Sequence, residues 1–237
     1  LVIRAKNIVS GKGYINFKIE TKIPDGKSYS IDKVTIPVMG THNVINALIG
    51  IACAVDMDLD LSKSLHGLMD FENVHNRQKI IEHGNITIID DSYNCSPESL
   101  EAGIKLLSKY PSDGRKIAVL GGMLELGAFA LQEHVNAGRK CVKHKIDAIL
   151  TLGELGKYIN DGVEEHLLKI ADEGNLAPLV LNHNFSDKES MVSYISGIIK
   201  EGDVILIKGS RAFNMDKVSS DIENYLKETT LKEKSTE

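Results

Sequence analysis

The 237-residue chain is 42% hydrophobic and 26% charged, the balance of an ordinary globular protein with enough length for one large domain or one and a half smaller ones. A formal net charge of −5 with no compensating basic block argues against a nucleic-acid footprint. No apolar run is long enough to span a bilayer and no signal-peptide pattern is present, so neither nucleic acid nor membrane is expected as a partner. Cys53, Cys95 and Cys141 are widely separated and in no CxxC spacing, which fits reduced thiols in a cytoplasm and gives no argument for zinc or a disulfide.

In chain order, Leu1-Val2-Ile3-Arg4-Ala5 reads as a strand already under way, and a piece of a longer protein is expected. Residues 1–38 read as β structure, with alternation over Tyr14–Ile19, a Pro24-Asp25-Gly26 hairpin turn, and a further strand from Tyr29 to Val38. Gly26-Lys27-Ser28 imitates the end of a P-loop. The upstream glycine position holds Thr21, however, and the segment lies between strands, so no triphosphate cradle is recognisable. A helix follows Gly40, with Val44, Ala47, Leu48, Ile51, Ala52 and Val55 at helical spacing, and a short helix covers about 62–69.

From about residue 75 the rhythm changes. Strands at 77–83, 85–90, 116–121, 147–152, 177–183 and 203–208 alternate with helices near 98–109, 129–145, 155–172, 187–200 and 214–228. The alternation predicts an α/β domain with a mostly parallel, Rossmann-like sheet. Its first two strands, separated only by Gly84, are expected as an antiparallel edge hairpin. Residues 229–237 read as a polar, frayed tail.

Chemistry concentrates where these strands end, the edge at which open α/β sheets bind ligands. Asp90-Asp91-Ser92-Tyr93-Asn94-Cys95-Ser96-Pro97 carries more polar groups than a turn requires. Asp91 is placed to accept ribose hydroxyls, with Asp90 as an exposed neighbour; Tyr93 and Asn94 are placed to orient a substrate, against an Asx-turn for Asn94. The glycines of Leu120-Gly121-Gly122-Met123 would let a ligand reach backbone N–H groups, or merely permit a tight turn. His134, by itself, reads as solvated or core-satisfied. Lys208-Gly209-Ser210-Arg211, leading into the last helix, reads as an anion site or a basic surface turn. Upstream, Asn43 and Asn46 share one helical face and could read an adenine edge, unless Thr41 or Asn43 simply caps the helix.

Five motifs together resemble the Mur ligase family: Gly40-x-His42-Asn43-x-x-Asn46-Ala47-Leu48, Arg77, Asp90-Asp91-Ser92-Tyr93-Asn94-x-x-Pro97, Leu120-Gly121-x-Met123-x-Glu125-Leu126-Gly127 with His134, and Lys208-Gly209-Ser210-Arg211. The Tyr-Asn-x-x-Pro and Met-x-Glu-Leu-Gly forms look like the branch that adds D-alanyl-D-alanine to UDP-N-acetylmuramoyl-tripeptide. The resemblance implies that 1–73 end a central ATP-binding domain and 74–228 form the C-terminal α/β domain, with 229–237 a tail. It also implies a monomeric cytoplasmic ligase using ATP and Mg²⁺, with the P-loop and metal ligands upstream, so that this chain alone is inactive. His42, Asn43, Asn46, Arg77 and Asp91 would then bind the nucleotide, and Tyr93, Asn94, Lys208, Ser210 and Arg211 the incoming dipeptide. Another amino-acid or folylpolyglutamate-type ligase, or a non-catalytic module derived from one, are the alternatives. Gly122 stands where aspartate is usual, Asn76 where glycine is frequent, and Ser96 where asparagine is common.

Overall fold

A computed structural model describes residues 1–11, 13–22, 28–71 and 76–234, which belong to two compact units, Leu1–Val74 and His75–Glu237. The first unit is an antiparallel meander of β1 (Val2–Gly11), β2 (Tyr14–Lys22) and β3 (Ser28–Ile36), followed by α1 (His42–Asp56) and α2 (Leu61–Met69). The alternation in β2 puts Ile15, Phe17, Ile19 and Thr21 on the buried face. Ile15, Phe17 and Ile19 join Val34 and Ile36 of β3 and Val44, Ala47 and Ile51 of α1 in one core. Asp60 starts α2 by accepting the N–H groups of Ser62 and Lys63 at 2.9 and 3.1 Å. Strands β2 and β3 pair as expected, while the Pro24-Asp25-Gly26 turn lies outside the described residues.

The second unit is a six-stranded sheet in the order β4-β5-β9-β6-β7-β8. Its strands are β4 (Lys79–His83), β5 (Ile86–Asp91), β6 (Lys116–Leu120), β7 (Ala148–Leu152), β8 (Leu181–Phe185) and β9 (Val204–Lys208). All neighbours are parallel except β4, which pairs antiparallel with β5 at the edge. Gly84, at φ +56°, opens the two-residue turn between them. The helices are α3 (Pro97–Lys109), α4 (Ala130–Lys143), α5 (Gly153–Asp172), α6 (Lys188–Ile198) and α7 (Met215–Lys234).

Right-handed crossovers put α3, α4 and α5 on one face and α6 and α7 on the other. Ile205 and Ile207 of β9 pack with Met191, Ile195, Met215, Val218 and Ile222 of α6 and α7. On the opposite face α3 comes so near β9 that a Cβ added at Gly103 would lie 3.2 Å from Leu206 and 3.4 Å from Lys208. Helices α4 and α5 meet at two glycines: a Cβ on Gly138 would reach the Ile159 carbonyl oxygen at 1.9 Å, and one on Gly162 the Val135 oxygen at 2.0 Å. Neither position has room for a side chain.

Two expectations are corrected. Strand β8 begins at Leu181, four residues beyond the expected start at 177. Pro178 has no N–H for a ladder, Leu176 and Leu179 are 98% and 100% exposed, and pairing follows the Leu181 N–H donated to the Asp147 carbonyl at 2.9 Å. Helix α7 runs to Lys234, through most of the expected tail. Helix formers dominate there, Lys227 pairs with Glu223 one turn back, and the Thr229 hydroxyl donates to the Tyr225 carbonyl at 2.9 Å.

At the amino edge of the sheet, Asp203, 1% exposed, accepts the Arg115 Nε–H at 3.1 Å, its Nη2–H at 2.5 Å and the backbone N–H groups of Arg115 and Lys200 at 3.0 and 2.9 Å. Hydrogen bonding to Asp203 raises the Arg115 pKa above its ordinary value. Replacing Asp203 by alanine strands these donors and is expected to cost about 3 kcal/mol, measured as a lowered urea midpoint at unchanged slope; a loss under about 1 kcal/mol would show that water replaces the carboxylate.

Candidate active site

In the first unit, His42, Asn43 and Asn46 lie on the opening turns of α1, with His42 and Asn46 exposed. Neither amide caps the helix: Thr41, the N-cap, makes no side-chain hydrogen bond to it. Asn43 Nδ2 donates to the Met39 carbonyl at 2.7 Å, and Asn43 Oδ1 accepts from Asn46 Nδ2 at 3.1 Å. Asn43 is thereby held at both ends and orients Asn46, an exposed residue whose amide keeps an acceptor oxygen and a second donor hydrogen. That acceptor–donor pair suits the edge of an adenine.

In the second unit, β9 lies between β5 and β6, so the loops leaving three adjacent strands converge at one point of the carboxyl edge. Their centre is a buried ion pair. Lys208 Nζ, on a residue 2% exposed, donates to Asp91 Oδ2 at 2.6 Å and to the Asn94 carbonyl at 3.0 Å, with the Asp91 carbonyl at 3.5 Å. The ammonium is therefore engaged by the loop after β5, and Lys208 holds that loop against β9. Ser210, also buried, accepts the Leu124 N–H at 2.9 Å, donates to the Cys95 carbonyl at 3.3 Å, and sends its own N–H to the Gly122 carbonyl at 3.0 Å. Lys208 and Ser210 thus tie loops together, which is a correction to a basic turn exposed to ligand. The turn also reaches α7 only through a 3-10 turn at Arg211–Phe213 and Asn214 at φ +47°.

Asp90, expected as an exposed neighbour, is 4% exposed and accepts the Ser92 hydroxyl at 2.6 Å and the Ser92 N–H at 3.1 Å. Asn94 Oδ1 accepts the Cys95 N–H at 2.8 Å, and Ser96 caps α3 in a reciprocal box with Ser99, with Pro97 at the first turn. Cys95 is buried and its thiol is pushed up to about 12, chiefly by desolvation.

Among the side chains that these loops leave exposed are one aromatic ring and two guanidinium groups. Arg77 lies 4.4 Å from the centroid of the Tyr93 ring and Arg211 lies 6.0 Å from it. All three side chains are exposed, and the Tyr93 N–H is fixed to the Asn76 carbonyl at 3.0 Å. Asn76 and Gln78, on either side of Arg77, have φ of +60° and +50°, so the arginine is presented on a strained turn. The sequence marked the three residues separately; their stacking depends on strand order and no sequence signal shows it.

Three N–H groups of the glycine loop after β6 are engaged within the protein. Gly121 N–H goes to the Lys208 carbonyl at 2.8 Å, Met123 N–H to His134 Nε2 at 2.8 Å and Leu124 N–H to Ser210. His134, fully buried, is core-satisfied: Nδ1 faces the Ala130 carbonyl at 2.6 Å, which fixes Nδ1 as the protonated nitrogen and Nε2 as the acceptor. Among the described residues no group of three His, Cys, Asp or Glu side chains is placed to hold a metal ion.

A family model described as the Mur ligase, glutamate ligase domain matches residues 76–211. The chain belongs to the Mur ligase family. It is 31% identical over 188 residues to the UDP-N-acetylmuramoyl-tripeptide--D-alanyl-D-alanine ligase of Bacillus subtilis, covering 79% of this chain and 39% of that protein. It is likewise 31% identical over 194 residues to the Escherichia coli protein of the same description, covering 80% and 38%. The chain spans about two fifths of the length of these relatives. The crystal structure of MurF from Acinetobacter baumannii superposes with a TM-score of 0.76 at 25% identity, over 93% of this chain and 44% of that one. MurF of Thermotoga maritima, solved with ADP, shares the fold at a TM-score of 0.72 and 21% identity, over 96% and 47%.

The departures from the usual Mur ligase pattern have local explanations. A Cβ on Gly122 would lie 2.7 Å from Phe213 and 2.8 Å from Leu155, so this chain packs apolar side chains where a carboxylate is usual. Ser96 keeps the helix cap. Asn76 carries a left-handed backbone that glycine adopts without strain, so Asn76→Gly is expected to stabilise by a few tenths of a kcal/mol up to about 1 kcal/mol in thermal unfolding.

Two further outcomes are expected here. Lys208→Met leaves Asp91 buried without its cation and should cost about 3 kcal/mol, most of it recovered in Asp91→Leu/Lys208→Met; an uncoupled double-mutant cycle would refute the pair. Desolvation lowers the His134 pKa from its usual 6.5. The folded state therefore favours neutral imidazole, and this stability is complete above pH 6.5 and lost as pH falls through the lower folded value. His134→Gln keeps an acceptor for Met123 but cannot titrate in this range. Its melting temperature should fall less between pH 7 and pH 5 than that of the unsubstituted chain.

Proposed function

We propose that this chain is the C-terminal part of an ATP-dependent ligase that adds D-alanyl-D-alanine to UDP-N-acetylmuramoyl-tripeptide in peptidoglycan precursor synthesis. On this reading residues 1–73 end the central ATP-binding domain and 74–228 are the C-terminal domain. The observation that carries it is the Arg77–Tyr93–Arg211 cluster at the carboxyl edge of a domain whose B. subtilis and E. coli relatives are D-alanyl-D-alanine ligases.

ATP supplies the phosphoryl group that converts the tripeptide carboxylate into an acyl phosphate, with Mg²⁺ held by residues outside this chain. Asn46, oriented by Asn43, offers the adenine its acceptor and donor, with His42 beside it. Within the second unit Arg77 and Asp91 are the nucleotide candidates, Asp91 fixed in direction by Lys208. Arg211, beside Tyr93, offers a planar donor fork to the carboxylate of the incoming dipeptide. Tyr93 and Asn94 limit how that dipeptide can lie, while Lys208 and Ser210 hold the loops that present them. Cationic donors already in place stabilise the anionic tetrahedral intermediate formed when the dipeptide amine attacks. Among the described residues no helix is long and apolar enough to cross a membrane.

The protein expressed from its complete coding sequence is expected to release phosphate from ATP with UDP-N-acetylmuramoyl-tripeptide and D-alanyl-D-alanine. Turnover with single amino acids or with folate in place of these substrates would sink the assignment. Tyr93→Ala and Arg211→Ala should raise KM for the dipeptide by about ten- to a hundredfold, roughly the value of one charge-assisted contact, with KM for ATP unchanged. The 237-residue chain alone should give no ligation, since its sequence has no triphosphate cradle.

A further inference from the structure

A second concentration of positive charge in the second unit lies away from this site. A cavity of about 580 Å³ between α4 and α5 is lined by Asn136, Arg139, Lys140, Lys143, Glu165, His166 and Lys169. Helices that follow parallel strands run back toward the strands' amino ends. The second halves of α4 and α5 therefore put this cavity near the sheet edge opposite Tyr93. Four cations and one carboxylate line it, in a chain whose formal net charge is −5.

The helix macrodipole accounts for single cations here, because Lys140, Lys143 and Lys169 fall in last turns. It does not account for their convergence. The glycine contact of Gly138 and Gly162 presses the two helices together and turns their cations toward one groove. Internal neutralisation is partial. Arg139 meets Glu165 at 2.5 Å and Asn136 Oδ1 at 3.2 Å, and Lys140 meets Glu101 at 2.7 Å. Lys169 has only Glu173 at 3.9 Å, and Lys143 has no ion pair among the described residues. The field extends beyond the lining: burial first, then Lys105, Lys143 and Lys109 hold His144 below its ordinary pKa, against the opposing pull of Glu101.

We propose that the α4–α5 groove is a second binding site, for a small polyanion of the diphosphate class. The cavity has the size of a small-molecule site instead of a flat docking surface. Arginine and lysines spaced one turn apart on two facing helices suit two adjacent phosphate groups, with Asn136 and His166 as further lining side chains.

The test is a titration of the 237-residue chain with inorganic pyrophosphate at low salt, followed by amide ¹H–¹⁵N chemical shifts and calorimetry. Saturable shifts at Asn136–Lys143 and Glu165–Lys169 are expected. Lys143→Glu/Lys169→Glu should weaken binding at least about tenfold, as should the milder Lys143→Gln/Lys169→Gln pair, with circular dichroism unchanged. Arg211→Ala should leave this affinity as it was. Shifts confined to the Arg77–Arg211 edge, non-saturating shifts spread over surface lysines, or an affinity in both charge variants unchanged from that of the unsubstituted chain would overturn the site. So would lysine-dependent sedimentation with phosphatidylglycerol vesicles in the absence of saturable pyrophosphate binding, which would make the patch a lipid contact.

Discussion

The second unit depends on a lysine ammonium that has been taken out of water at the end of β9. Burying Lys208 is affordable only because a carboxylate and two carbonyl oxygens, supplied by Asp91 at the end of β5 and Asn94 in the loop that follows, receive its hydrogens. The consequence is geometric. The loop bearing Tyr93 and Asn94 cannot drift from β9 without leaving a charge unpaired in the interior, an outcome far costlier than losing a surface contact. Ser210, two residues on, extends the same fastening to the loop after β6, so hydrogen bonds link all three loops.

That fastening separates two kinds of polar residue. Asp90, Ser92, Lys208, Ser210 and His134 spend their hydrogen-bonding capacity inside the protein and set the shape of the edge. Arg77, Tyr93 and Arg211 are exposed and stacked, and they carry what binding capacity remains. A rigid inner layer and an accessible outer one are what a ligation site needs, because an intermediate is stabilised best by donors that do not reorganise when charge appears. The strained turn that presents Arg77 belongs to the same arrangement.

The glycines show how the pattern of a family can be met by different packing. Gly138 and Gly162 let α4 and α5 touch backbone to backbone, and that contact also creates the cationic groove on their outer side. Gly122 gives its space to Phe213 and Leu155, which ties the loop after β6 to the segment after β9 by apolar contact in addition to hydrogen bonds. In both places the absence of a side chain determines which neighbours meet.

Element order, the edge hairpin at Gly84 and the concentration of polar residues at strand ends were determined by the sequence alone, since hydrophobic period and turn chemistry are local properties. Two boundaries were less legible. Leu179 and Val180 continue an apolar run into β8 without a pairing partner, and the last helix continues through residues whose polarity read as a tail. Among the site residues, the sequence marked Asp91, Lys208 and Ser210 as polar at the right edge but could not divide the buried from the exposed. It had Asp90 on the wrong side of that division. Only the tertiary structure decided it, because the insertion of β9 between β5 and β6 determines which loop ends are covered. Likewise Arg139, Lys140 and Lys143 lie close together in the sequence, but Lys169 joins them only once two glycines bring α4 and α5 into contact.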